Sequence, residues 1–134
     1  MVYREFAAKK DSLNEILEFV DSELEKVSAP MKVMTQMDVS IEEIFVNIAS
    51  YAYSDNANAS AEIGVEASEN QITVVFEDSG IPFDPLAKAD PDITLSAEER
   101  GIGGLGIFMV KKFMDDVSYQ RVDDKNILTI LKKW

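Results

Sequence analysis

The chain has 134 residues, a length that supports one domain with its own core. It contains no cysteine and no histidine, which excludes disulfides, thiolate metal sites, a Ser-His-Asp triad, His-ligated metals and a phosphohistidine within this chain. Thirteen basic residues against 25 acidic ones give a net charge of −12, so direct binding to nucleic-acid phosphates is not expected; the acidity suits either a basic protein partner or solubility alone.

Tyr3 to Ala8 reads as a short opening strand. Leu13, Ile16, Leu17, Val20, Leu24 and Val27 then trace one face of an amphipathic helix, capped by Asp11 or Ser12 and stopped before Pro30. A second helix is predicted from about Met31 to Tyr53, closed by the turn chemistry of Ser54-Asp55-Asn56. The period then changes to two. Ile63, Val65 and Ala67 alternate with polar or small residues, Glu69-Asn70 turns, and Ile72, Val74 and Phe76 continue to Glu77-Asp78, a hairpin. Ser79 to Arg100 is long, irregular and proline-containing, a kind of stretch that is usually functional or mobile. Gly101-Ile102-Gly103-Gly104-Leu105-Gly106 opens an apolar helix to Met114. Two strands, Val117–Val122 and Ile127–Lys132, flank a turn at Asp123-Asp124-Lys125-Asn126. The order implies a single domain over 1–134, an α/β two-layer sandwich with a mixed sheet covered on one face by three helices. No run approaches the ~20 apolar residues of a membrane span, and Met1–Glu5 lacks a signal peptide's apolar core, so a cytoplasmic protein is expected.

Three features carry chemistry. Glu43 and Asn47 lie four apart on one helix face; a carboxylate can take a proton from a hydroxyl, and an amide oxygen can ligate a hard cation such as Mg²⁺. Ser40-Ile41-Glu42-Glu43 also fits a capping box, but apolar spacing from Met34 onward puts Ser40 inside a running helix. Asp78-Ser79-Gly80 ends a strand with a carboxylate able to accept from an exocyclic amine, and with a glycine that lets a planar ligand approach; the plain alternative is a turn. The glycine cluster exposes backbone N–H groups at a helix start, which suits an anion, or is simply a helix entry. No Gly-Lys-Ser/Thr follows, so it is not a P-loop.

In this order, Glu-x-x-x-Asn on a helix, Asp-x-Gly after a strand and Gly-x-Gly before a helix resemble the GHKL ATPase superfamily. The chain looks most like the stand-alone bacterial anti-sigma factor serine-protein kinases, from about Tyr3 to Trp134. The stretches that carry the likeness are Ile41–Ile48, Glu77–Gly80 with Phe83-Asp84, and Gly104–Ile107 with Lys112–Asp115. The resemblance implies a Bergerat-type ATP-binding fold with a left-handed crossover and a lid. It implies ATP and Mg²⁺ as cofactors, Asn47 as metal ligand, Asp78 on the adenine amine, Gly80 against the base, Gly104 and Gly106 along the phosphates, and Glu43 as general base toward a substrate serine. It further implies an anti-anti-sigma protein as substrate, a sigma factor as a second partner, and a homodimer. An ATP-binding regulatory module without phosphotransfer is the alternative reading. A histidine kinase's catalytic domain is disfavoured, since that class needs a phosphoaccepting His. The chain departs from the family pattern at Tyr51, where relatives often carry His, and at Asn126-Ile127, where they often read Gly-Thr.

Overall fold

The computed structural model describes residues 1–52, 59–86 and 104–134. Strand β1 (Val2–Ala7) leads through a 3₁₀ turn at Lys10–Ser12 into α1 (Leu13–Lys26). Helix α2 (Met31–Asn47) widens into a π-helical turn over Ile48–Ala52. Then come β2 (Ser60–Ala67), β3 (Gln71–Asp78), α3 (Gly104–Phe113), β4 (Asp116–Val122) and β5 (Lys125–Lys133).

The strands form one sheet in the order β1-β2-β3-β5-β4. Alternation explains their burial. Ile63, Val65, Ile72, Val74, Phe76, Leu128 and Ile130 point to the helical side and join Ile16, Phe19, Val20 and Leu24 of α1, Met37, Ile41, Ile44 and Phe45 of α2, and Val110 in one core. The two-layer sandwich matches expectation, but the sheet is not mixed: all four ladders are antiparallel. β3 and β4 do run in the same direction. However, β5 lies between them and pairs antiparallel with both, so no parallel ladder forms.

Two local expectations are also corrected. Neither Asp11 nor Ser12 caps α1 with its side chain; both sit in the 3₁₀ turn. The chain leaves α1 through Ser28 at φ 54°, with Ala29 N–H bonded to Leu24 O at 3.1 Å, a left-handed exit before Pro30. The final hairpin turns on two residues, not four. Asp123 and Asp124 have φ of 52° and 63°, both left-handed as a tight hairpin requires, and Val122 pairs with Lys125. Lys125 and Asn126 therefore belong to β5.

The other sheet face carries no helix among the described residues. Glu5, Glu62 and Glu77 stand directly opposite one another across three adjacent strands. Beside this row the Tyr3 ring lies over Gly64, where an added Cβ would come within 2.5 Å of Tyr3 Cε1.

Candidate functional site

Helix α2 is fixed by its apolar stripe, and its last turn presents the two polar residues picked out from sequence. Ser40 is fully buried in mid-helix, so the capping-box alternative for Glu43 does not apply. Glu43 is half-buried, and its carboxylate rests directly on the backbone of Gly106 at the start of α3. A Cβ at 106 would overlap Glu43 Oε2, so glycine is what permits the approach of the two helices here. Asn47, one turn on, closes α2 just where the π turn begins, a distortion that often accompanies functional positions.

Asp78 ends β3 and is only 6% exposed. Its Oδ1 accepts from Gly80 N at 3.0 Å and from Asn126 Nδ2 at 2.9 Å; Oδ2 takes no hydrogen bond among the described residues. Gly80 is itself held, its carbonyl accepting from Arg121 Nη1 at 2.8 Å. Asn126, in register opposite both Asp78 and Arg121, also binds Ile81 and Phe83 of the segment after β3 and Tyr119 of β4. The opening of the irregular stretch is thus tied to the sheet by both strands of the last hairpin. The remainder, 87–100, lies outside the described residues, as do Gly101, Gly103 and Arg100.

Asn47, Asp78 and Asn126 meet at one pocket whose apolar walls include Ile44, Phe76, Phe83 and Leu128. That character, apolar with a few convergent polar groups, suits a small planar ligand. Of the predicted site residues, Asn47 and Asp78 share this pocket, Gly80 is bonded to Asp78, and Glu43 and Gly106 touch each other alongside. Gly104 begins α3. Sequence reasoning missed the structural part of Asn126, Tyr119 and Arg121. The one signal was the departure at Asn126-Ile127, which marks the position without revealing its partners.

The donor set can be tested against a metal. Among the described residues no group of three or more His, Cys, Asp or Glu could hold an ion. Asn47 offers a single hard oxygen at the pocket. That fits Mg²⁺, which keeps several waters and is completed by substrate phosphates, and does not fit an ion that needs an all-protein cage.

The profile of the histidine kinase-like ATPase domain matches residues 6–132. The serine/threonine-protein kinase BtrW of Bordetella bronchiseptica is 28% identical over 89 residues, 66% of this chain and 63% of its own length. The chain thus spans less than two thirds of that relative. The anti-sigma F factor of Clostridium novyi is 22% identical over 129 residues, 96% of this chain and 90% of its own length. The crystal structure of the RsbU and RsbW domains of a Mycobacterium tuberculosis protein superposes with a TM-score of 0.64 at 9% identity, covering 99% of this chain and 32% of that one, a likeness of fold.

Proposed function

The chain belongs to the histidine kinase-like ATPase domain family, and from that premise we propose that it is an anti-sigma factor serine/threonine kinase using ATP and Mg²⁺. In this reading it phosphorylates a serine on an anti-anti-sigma protein and holds a sigma factor, as a single-domain cytoplasmic protein and a homodimer. The observation that carries it is the meeting of the α2 amide, the β3 carboxylate and the apolar pocket, with the Glu43 carboxylate set beside them on Gly106. Two relatives bear the names of a serine/threonine kinase and an anti-sigma factor.

In this role Asp78 Oδ2 accepts from the exocyclic amine of adenine, while Phe76 and Leu128 cover the base. Asn47 would hold Mg²⁺ through its side-chain oxygen. The bound nucleotide and metal supply the transferable phosphoryl group and neutralise its charge, and positioning is most of the catalysis. Glu43 would take the proton of the substrate serine hydroxyl as its oxygen attacks the γ-phosphorus, the bond to the β,γ-bridging oxygen breaking and ADP leaving. Gly106 leaves room for that carboxylate, and Gly104 and Gly106 bring the N-terminal end of α3 toward the phosphates. The edge strand β1, with exposed Met1, Val2 and Tyr3, is a surface suited to a second copy.

The test is calorimetry with Mg-ATP followed by transfer of labelled phosphate to the anti-anti-sigma partner. Asn47→Ala is expected to abolish Mg-dependent binding or transfer. Glu43→Ala is expected to keep ATP and slow transfer by ~10²–10⁴-fold. Absence of ATP binding by the parent chain would refute the reading. Tight ATP binding with no transfer by the parent chain would favour the regulatory module.

A further inference from the structure

Asn126 is 4% exposed and has no hydrogen-bonding capacity to spare. Its two amide protons go to Asp78 Oδ1 and to Ile81 O, each at 2.9 Å. Its oxygen accepts from Phe83 N at 3.2 Å and from the Tyr119 hydroxyl. The partners settle which way the amide points. Ile81 offers a carbonyl, which needs the NH₂ group, and Phe83 offers an N–H, which needs the oxygen. The amide cannot flip without breaking both.

Asn126 therefore cannot bind a nucleotide, but it does set the chemistry of the group that can. With Gly80 N it places a second donor on Asp78 Oδ1, and Oδ2 is left to meet a ligand as an acceptor. We propose that Asn126 is the positioning residue for purine choice: by donating to Asp78 it makes the pocket accept a purine with an amine at C6 and reject one with a carbonyl there. The inference rests on the reading that this pocket holds the base of ATP. A C6 carbonyl facing Oδ2 would bury acceptor against acceptor, and an unpaired buried polar group is the strong form of discrimination between close analogues. Replacing the donor with an acceptor reverses the situation. Two carboxyls in place of the 2.9 Å pair cannot both ionise, so a shared proton enters the site.

The test compares binding of ATP and inosine triphosphate, which differ at C6, to the full-length parent chain and to Asn126→Asp across pH 6–8. The parent is expected to prefer ATP at every pH. In N126D the preference is expected to fall by ~10–100-fold at pH 6, where a proton on the pair lets Oδ2 donate to a C6 carbonyl, and to recover toward pH 8 as that proton leaves. A merely structural loss would weaken both nucleotides alike and leave their ratio unchanged. Asn126→Leu, which removes the donors at similar volume and without charge, serves if N126D proves unstable, and a lowered ratio is expected there too. A parent-like ratio in a folded variant, with the parent still preferring ATP, overturns the role of Asn126 alone. A parent chain that binds both nucleotides equally, or neither, overturns the adenine reading and this inference with it.

Discussion

Near pH 8 the variant Asp21→Asn is expected to be more stable than the parent, with the advantage shrinking as the pH falls toward 5. Asp21 of α1 meets Asp38 of α2, and one oxygen of each carboxyl is buried with no partner among the described residues. Burial above all, then the hydrogen bond to Asp38 and its charge, push the Asp21 carboxyl from 3.8 to about 7. The folded chain thus keeps a proton that the unfolded chain releases. Stability falls as pH rises between those two values and is level above the higher one. At 1.36 kcal/mol per unit the shift sets a ceiling of ~4 kcal/mol. Asp21 is only half-buried, so solvent screening reduces this to ~1–2 kcal/mol, or about 3–8 °C in Tm for a chain of this length. Thermal melts of parent and variant at half-unit steps from pH 5 to 8 measure it. An advantage that does not change with pH, or a variant less stable at every pH, would refute the shared-proton account.

Gly106→Ala is expected to put a methyl on the Glu43 carboxylate and displace it. Transfer should fall ~10²-fold, while stability changes little because the ~1 kcal/mol helix-propensity gain of Ala offsets the crowding; parent-level transfer would show that the Glu43 position is not used. Ser40→Ala is expected to stabilise by ~1 kcal/mol in urea unfolding, because Ser40 Oγ is fully buried without a partner among the described residues. A loss of stability would mean that the hydroxyl is in fact bonded.

Helix α1, helix α2 and the β2–β3 hairpin were legible because their apolar periods are clean and one face of each is buried. The ordering of Glu43, Asn47, Asp78 and the glycines was legible for a different reason: it is a pattern of chemistry along the chain. The close of the sheet was not. Asp123 and Asp124 read as half of a four-residue loop, since nothing local shows that both adopt left-handed φ and draw Lys125 and Asn126 into a strand. The Asp21–Asp38 meeting depends on how α1 and α2 lie together, and each residue alone reads as a solvated helix position. Phe19 falls off the predicted α1 stripe yet is buried against Phe6, with ring centroids 6.0 Å apart, because β1 covers that flank.

The position of β5 bears on how the molecule comes into being. It is synthesised after the other four strands of the sheet, yet it occupies the interior of the sheet between two that were made before it. Until it emerges, β3 has a bare flank, β4 has no neighbour, and Asp78 lacks the amide that steadies it. A nascent chain can therefore pair β1, β2 and β3 early while its pocket stays unassembled. Removing nine residues, Lys125–Lys133, would disconnect β4 and unmake the pocket rather than merely trim an edge. Assembly of the pocket is thereby tied to the emergence of β5.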